Sequence, residues 1–383
     1  MKKNVFAAGF LLFGLVGTAV LCQEVPKFDS AQVNADRTIT FRYEDANAKQ
    51  VELSTDIALK PLAMTRDAKG LWTVTTKALA PEIYGYSFLV DGRHAFDPEK
   101  TEEVLPNLAF HSTSVTVPGE RPEPWELQAI PHGRLQIVRY TTHLVEGLTA
   151  DQSEFMVYTP PDYDSKSKVP YPTLYLLHGW SQTDRGWTQD QQADLILDRL
   201  LADAKARAMV VVMPLGYGEM SFVRQGFGIW HSPDPVDRNT KLFTQVLLTE
   251  ILPQVEADFN VSHRREDRAI AGLSMGGLEA LTIGMNNTDK FAYVGGFSAA
   301  VHLLKPKQLS LLAGVDAGRR ANLRLLWVAC GQDDSLITAN RALVAEFKAA
   351  GLPVTAVETA GAHVSYVWRG NLVQFVPLLF QQK

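Results

Sequence analysis

Two residue patterns predict the fold class: an α/β domain preceded by a small antiparallel β-sandwich domain. In the first part of the 383-residue chain, apolar and polar residues alternate in short runs. From about residue 134, continuous apolar runs alternate with helical segments. The first pattern is typical of half-buried strands, and the second of strands that are covered by helices on both faces.

The alternating runs lie within residues 24–117 and are separated by turn residues such as Asp91-Gly92. They are TITFRY, QVELSTD, LWTVTTKAL and YGYSFLVDG. No helical segment interrupts them, so they predict an antiparallel β-sandwich, with Trp72 and Tyr84 at core positions. The four prolines and two glycines of residues 118–133 predict an ordered linker between two domains.

Residues 134–383 carry the second pattern. Their apolar runs are TLYLLHG, AMVVVMPLG, DRAIAGLS, YVGGFSA and LRLLWVACG. The helical segments are DLILDRLLADAKA, FTQVLLTEILPQVEADF, MGGLEALTIGM, ANRALVAEFKAAG and YVWRGNLVQFVPLLF. Strand–helix alternation of this kind indicates a doubly wound α/β domain.

Residues 1–22 predict a bacterial secretory signal peptide, because two lysines precede the uncharged apolar stretch from Val5 to Leu21. A membrane anchor and a lipid on Cys22 are alternatives; Leu21 disfavours the lipid, since lipoprotein signals usually have a small residue there. We expect a secreted or periplasmic protein with no membrane contact beyond this signal.

Composition disfavours several function classes. The net charge of −5 disfavours a general nucleic-acid binder, which is usually basic. The motifs C-x-x-C, H-E-x-x-H and G-x-x-x-x-G-K-[ST] do not occur, so we expect no metal and no cofactor. Cys330 lies in an apolar run, which predicts a small buried residue and no disulfide.

Residues 272–276, GLSMG, match G-x-S-x-G, the nucleophile elbow of α/β-hydrolases. An apolar strand precedes Ser274 and a helix-forming segment follows it, as the motif requires. The positive end of that helix would lie near any oxyanion that forms. Ser274 is the predicted nucleophile; the alternative is a glycine-rich turn that happens to contain a serine.

A serine hydroxyl needs a base, and the base needs an orienting carboxylate. In α/β-hydrolases the order along the chain is Ser, acid, His. His363, in a small-residue loop after the strand VTAVET, is the expected base, whereas His302 is expected at the surface or behind the site. Asp333 and Asp334 both follow an apolar strand, and spacing leaves the acid open between them.

Ester hydrolysis also requires fixed N–H donors for the oxyanion. The N–H of Met275, directly after the nucleophile, is the first expected donor. The second is expected to be the N–H of Trp180 in the loop after the strand TLYLL, with Gly179 giving that loop its freedom. His178 is expected to be structural.

Residues 134–383 resemble carbohydrate esterase family 1, the feruloyl and acetylxylan esterases with an esterase-D-like α/β-hydrolase fold. The matching stretches, in order, are FMVYTPPDYD, PTLYLLHGW, MVVVMPLG, RAIAGLSMGG, VACGQDDSL and GAHVSYVWRGNL. The family acid lies in a CGxxDxL-like segment, so the resemblance implies Asp334, and the family pattern H-x-x-x-x-W is matched by His363 and Trp368.

The first part of the chain resembles isoamylase N-terminal-like modules, which are grouped with glycogen-binding-type carbohydrate-binding modules. VELSTD, MTRDAKGLWTVTTKALAPEIYGYSFLVDG and FDP carry this likeness. Such modules precede this esterase type in secreted bacterial enzymes. No exposed aromatic platform can be named, so sugar contact and a structural or cleft-forming role both stay open.

Together the resemblances imply an exported serine ester hydrolase that acts through an acyl-enzyme. It would remove feruloyl, or acetyl, groups from plant cell-wall polysaccharide such as xylan, so its expected partner is an acylated polysaccharide or oligosaccharide. An enterochelin-type siderophore esterase, an acyltransferase and a non-catalytic carbohydrate-binding protein are the alternatives. The complete Ser, Asp, His set disfavours the last.

Residues 216–235, GYGEMSFVRQGFGIWHSPDP, are the least family-like stretch and are rich in glycine and aromatic residues. They predict a loop over the cleft. Phe222, Phe227 and Trp230 are the expected substrate-binding residues, with ordinary loop packing as the alternative.

Overall fold

The computed structural model describes residues 28–100, 107–109, 112–304 and 322–381. The predicted signal segment 1–22, with Cys22, lies outside the described residues. Within them, no helix combines the length and the apolar character that crossing a membrane would need.

The N-terminal β region, residues 31–117, forms two antiparallel sheets in the part of the chain that the structure describes. One sheet has the order β1 (Ala31–Val33), β2 (Ile39–Glu44), β6 (Leu71–Thr75), β5 (Thr65–Arg66). The other has the order β4 (Leu62–Ala63), β3 (Val51–Thr55), β7 (Glu82–Val90), β8 (Arg93–Ala95), and β9 (Thr113–Val117) also pairs with β7. Their apolar faces share one core that includes Trp72 and Tyr84, so the predicted antiparallel β region is confirmed.

The α/β region, residues 134–381, is built on a mixed sheet. Its order among the described residues is β10 (Arg134–Thr141), β11 (Gln152–Thr159), β13 (Val210–Pro214), β12 (Thr173–Leu177), β14 (Arg268–Leu273), β15 (Tyr293–Phe297), β16 (Leu325–Gly331), β17 (Val354–Thr359). The strands from β13 to β17 are parallel, and β10 and β11 are antiparallel additions at one edge. The predicted α/β-hydrolase arrangement is confirmed.

Helices cover both faces of this sheet. They are α1 (Ala193–Ala202), α2 (Ser221–Arg224), α3 (Pro233–Val246), α4 (Leu252–Asp258), α5 (Met275–Asn286), α6 (Ile337–Ala349) and α7 (Ser365–Phe375). One core contains the apolar side chains of α1 and α7, and another contains those of α3 to α6. Cys330 is buried in the sheet, as predicted.

Residues 216–235 are not the single loop that was predicted. They contain α2, a 3₁₀ turn at Phe227–His231 and the beginning of α3, which starts at Pro233 rather than at Phe243. The reason is local: Ser232 has the extended backbone of an N-cap residue, and proline fits the first helical turn, where its missing N–H has no intrahelical acceptor to lose.

Arg369 of α7 joins the two regions. Its guanidinium donates through Nε and Nη2 to Glu82 Oε1, at 3.1 and 2.9 Å, and through Nη2 to the Ile83 carbonyl. Nη1 donates to the Asp190 carbonyl at 2.9 Å. Arg369 is only 1% exposed, so a buried ion pair connects β7 to the helix that follows His363.

Replacing Arg369 with methionine should destabilise the protein, because Glu82 would remain buried without its partner. We expect Arg369→Met to lower the free energy of unfolding by about 3–5 kcal/mol. The matched control is Arg341→Met, whose ion pair with Glu358 is exposed and should contribute less than about 1 kcal/mol. Urea unfolding measures both; equal losses would contradict a structural role for the buried pair.

Candidate active site

Ser274 lies between the end of β14 and the start of α5, with a left-handed backbone of φ 52° and ψ −112°. A non-glycine residue in this region is strained and must be held by its surroundings. Its N–H donates to the Phe297 carbonyl at 2.9 Å, and its own carbonyl accepts from the Ala300 N–H at 3.0 Å. The neighbouring strand β15 and the loop after it therefore fix the turn that exposes the hydroxyl.

The two glycines of the motif permit the close packing of this turn. A Cβ on Gly276 would lie 2.5 Å from the carbonyl oxygens of Leu177 and His178, and one on Gly272 would lie 2.4 Å from the Gly276 oxygen. Such contacts are not tolerated between real atoms. Glycine at both positions thus lets α5 begin directly against the end of β12.

Ser274, His363 and Asp334 form one chain of hydrogen bonds. His363 Nε2 lies 2.9 Å from Ser274 Oγ, and His363 Nδ1 lies 2.8 Å from Asp334 Oδ2. The three residues follow β14, β17 and β16, whose carboxyl ends meet at one edge of the parallel sheet. The Trp368 ring packs edge-on against His363, with 4.9 Å between the ring centroids.

The structure distinguishes the two neighbouring aspartates. Asp334 is 2% exposed and faces His363, whereas the Asp333 side chain is exposed. Burial raises the pKa of Asp334, but the hydrogen bond and charge of His363 and the N–H of Leu336 outweigh it and lower that pKa below its ordinary value. Asp334 is therefore an ionised acceptor for Nδ1–H, which leaves Nε2 free to accept the Ser274 proton.

His178 holds the loop after β12 in place. It is buried; its Nδ1 lies 2.7 Å from the Gly179 carbonyl oxygen, and its Nε2 accepts the Gly216 N–H at 2.9 Å. These partners assign the neutral tautomer with the proton on Nδ1. The ring therefore connects the loops that follow β12 and β13, which fits the structural role that was expected.

Met275 and Gly179, two of the predicted oxyanion residues, lie next to Ser274, and the role of Gly179 is revised. Met275 is the first residue of α5, so its N–H has no acceptor within the helix. The Gly179 N–H donates to Gln182 Oε1 at 2.9 Å, and the left-handed residue of this loop is Ser181, with φ 72°, rather than Gly179. Gly179 instead makes room, since a Cβ there would lie 2.6 Å from the Leu273 side chain.

A cavity of about 660 Å³ opens above Ser274 and His363. Phe227 and Trp230, two of the three expected substrate-binding residues, line it together with Trp180, whose ring packs against Phe227 with 5.7 Å between the centroids. The expectation for Phe222 is wrong as a direct contact. Its side chain is fully buried beneath Trp230, because its ring packs edge-on against that indole.

Several cavity residues were not found by sequence reasoning. His302, which was expected at the surface or behind the site, is exposed in the cavity wall, 6.3 Å from Trp230 between ring centroids. Asp56, Asn107 and Ser112 also line the cavity, although they precede the α/β region in the chain. Contact between distant segments leaves no local signal in a single sequence, so no motif could have indicated these three.

A pH titration tests the role of His178. Burial lowers the pKa of His178 to about 4, whereas an unfolded histidine titrates near 6.5. The stability contributed by the neutral ring is complete above pH 6.5 and is lost as the pH falls towards 4. His178→Gln removes this titration, so between pH 7 and pH 4.5 the wild type should lose about 2 kcal/mol more unfolding free energy than the variant. Parallel stability curves for the two proteins would contradict a buried neutral ring.

Comparisons with known proteins identify the family of this chain. The sequence model of the Esterase family matches residues 148–379. An endo-1,4-beta-xylanase/feruloyl esterase from Xylanibacter ruminicola is 27% identical over 363 residues, which are 93% of this chain and 46% of that protein. This chain therefore spans less than half the length of that relative. An acetyl esterase from Caldicellulosiruptor saccharolyticus is 25% identical over 238 residues, 54% of this chain and 81% of that protein.

Solved structures share the fold. A ferulic acid esterase, 25% identical, superimposes with a TM-score of 0.52 over 64% of this chain and 97% of its own. The enterobactin esterase of Shigella flexneri, 19% identical, superimposes with a TM-score of 0.66 over 89% of this chain and 92% of its own, and this likeness concerns the fold alone. Because the family match covers more than half of the chain, the protein belongs to the Esterase family.

Proposed function

We propose that the protein is an exported serine esterase that removes feruloyl groups from plant cell-wall polysaccharide. The observation that carries the proposal is the hydrogen-bonded chain of Ser274, His363 and Asp334 beneath a cavity with an aromatic wall. Export rests on residues 1–22 and fits a polymeric substrate that lies outside the cell.

The geometry supports hydrolysis through an acyl-enzyme. His363 Nε2 accepts the Ser274 proton while Oγ attacks the ester carbonyl, and Asp334 stabilises the imidazolium that forms. The N–H groups of Met275 and Trp180 donate to the oxyanion. His363 then returns the proton to the leaving alcohol, and a water molecule that it activates releases the acid from Ser274.

The apolar side of the cavity supports an aromatic acyl group. Trp180, Phe227 and Trp230 lie on this side, and aromatic rings pack favourably edge-on or offset against one another. An acetyl group would leave most of this surface uncovered. The Xylanibacter relative, whose name includes feruloyl esterase, aligns with 93% of the chain and supports the same choice.

A siderophore esterase is the second candidate. The enterobactin esterase of Shigella flexneri superimposes on 89% of the chain, which extends beyond the α/β region. The two candidates differ in the charge of the substrate, because ferric catecholates are strongly anionic. Turnover of methyl ferulate, acetylated xylan and a ferric catecholate, compared on one preparation, distinguishes them.

Removing the nucleophile should abolish turnover without unfolding the protein. We expect Ser274→Ala to lower kcat on methyl ferulate by about 10⁴-fold or more. Ser221→Ala changes an exposed serine of α2 that does not line the cavity, and it should retain wild-type kcat. Substantial turnover by Ser274→Ala, with the urea midpoint unchanged, would overturn the assignment.

Trimming the aromatic wall should change acyl preference. Trp230→Ala removes a ring from the cavity. The loss of one aromatic contact should raise KM about tenfold for methyl ferulate and much less for 4-nitrophenyl acetate. Leu127→Ala, at a site 76% exposed and outside the cavity, is the control. An equal change for both esters would remove Trp230 from the acyl pocket.

A further inference from the structure

A second cavity, of about 220 Å³, lies where the N-terminal β region meets the α/β region. We call it the seam cavity. Strands β3, β7 and β9, with Asp56 after β3 and Ser112 before β9, supply one wall. The other wall consists of Asp190, Gln192, Ser365 and Arg369. It adjoins the cavity above Ser274 and His363, which we call the catalytic cavity. The residues that line both cavities are Asp56, Ser112, Asp190 and Ser365.

The walls of the seam cavity are rich in small hydroxyls and carboxylates. Ser54, Ser87 and Ser114 line it, and their hydroxyls make no hydrogen bond to another described residue. The catalytic cavity thus has two different sides: aromatic rings on one, and polar groups of the seam on the other. An ester with an aromatic acid and a hydroxyl-rich alcohol has the same division.

Asp56 is the most informative group in the seam cavity. It is half-buried, makes no ion pair with a described residue, and accepts a hydrogen bond from the Gly85 N–H at 2.8 Å through Oδ2 only. A Cβ at Gly85 would lie 2.9 Å from that oxygen, so glycine in the middle of β7 permits the approach. Burial, with a smaller contribution from the charge of Asp190, raises the pKa of Asp56 to about 6 against the opposing effects of the Gly85 hydrogen bond and of Arg369. Keeping the Asp56 carboxylate ionised in this place is therefore unfavourable unless a further hydrogen-bond donor reaches it.

The charged residues around the seam cavity indicate a neutral ligand. Asp56 and Asp190 repel anions, and the guanidinium of Arg369 is already occupied by Glu82, Ile83 and Asp190. Asp190 in turn accepts from Gln182 Nε2 at 2.6 Å, and Gln182 Oε1 accepts from the Gly179 N–H. The Gln182 side chain thus connects Asp190 of the seam cavity to the loop after β12, which carries the predicted oxyanion donor Trp180.

We propose that the seam cavity is a subsite for a neutral sugar residue in the alcohol part of the ester, with Asp56 and the seam serines as its hydrogen-bond partners. This inference rests on the proposed function. Sugar hydroxyls would donate to the free oxygen of Asp56 and accept from the serine hydroxyls, and such hydrogen bonds to a charged group are among the stronger ones. The N-terminal β region then contributes to recognition of the substrate through its contact with the catalytic cavity.

Kinetics with two esters of one acid test the subsite. Methyl ferulate lacks the sugar, and a feruloylated arabinoxylo-oligosaccharide contains it. The KM of the wild type should be at least about tenfold lower for the oligosaccharide ester than for the methyl ester. A tenfold difference corresponds to the free energy of about one hydrogen bond to a charged group. Equal KM values would overturn the subsite.

Two variants assign the effect to the seam. Asp56→Ala removes the carboxylate, and Ser54→Leu fills the seam cavity with a larger side chain. Each variant should lower, by about tenfold, the ratio of two kcat/KM values: that for the oligosaccharide ester divided by that for the methyl ester. Glu52→Ala changes a carboxylate of β3, the strand of Ser54, that lines neither cavity, and it should leave the ratio unchanged. An unchanged ratio in both seam variants, with urea midpoints near that of the wild type, would overturn the proposal.

A binding measurement separates this inference from the proposed function. In Ser274→Ala, calorimetry with the unesterified oligosaccharide should show binding, and the double variant with Asp56→Ala should lose at least about tenfold in affinity. If the wild type cleaves neither ferulate ester, the proposed function fails while this binding still tests the seam. If both esters are cleaved but no oligosaccharide binds, the seam proposal fails alone.

Discussion

The backbone of Ser274 is the constraint on which the rest of the site depends. A serine at φ 52° is unfavourable by itself. Its N–H donates to the Phe297 carbonyl on the adjacent strand and its carbonyl accepts from the Ala300 N–H in the loop, and these hydrogen bonds hold it there. This turn directs Oγ towards His363 and starts α5 with the N–H of Met275 beside the hydroxyl. The proposed nucleophile and one proposed oxyanion donor therefore share a single strained turn, which faces His363 on the loop after β17. The sheet and its packed helices supply the rigidity that maintains this turn.

The N-terminal β region packs against the helix that follows His363. Buried contacts of Arg369 connect β7 to α7, and α7 follows the loop of His363. The joined surfaces enclose a polar space next to the catalytic cavity. Because a buried ion pair is a poor source of net stability compared with apolar packing, its position suggests that it serves to orient the two regions. The proposal of a sugar subsite follows from this arrangement rather than from any exposed aromatic surface on the β region.

The sequence predicted the order of elements well, because parallel strands and the G-x-S-x-G turn each leave a strong local pattern. It also located Ser274 and His363 after their strands, and the structure brings the two side chains within hydrogen-bonding distance, whereas their catalytic roles stay predictions. It missed β10, RLQIVRYT, an edge strand that lacks the continuous apolar run of the central strands and leaves Leu135 and Ile137 exposed. It also assigned Phe222 to the cavity surface, since composition shows that a segment is aromatic but not which rings face inward. Asp56 and His302 lie in the cavity through long-range packing that a single sequence does not encode locally.

The central claim is that Ser274 is the nucleophile, and the most direct measurement is active-site labelling with a fluorophosphonate. The serine oxygen attacks phosphorus and fluoride leaves, which gives a stable adduct that peptide mass spectrometry can locate. We expect one equivalent of adduct on the peptide that contains Ser274, in proportion to lost esterase activity, and no adduct in Ser274→Ala. Complete inactivation with the adduct on another residue, or full activity after Ser274 is labelled, would contradict it.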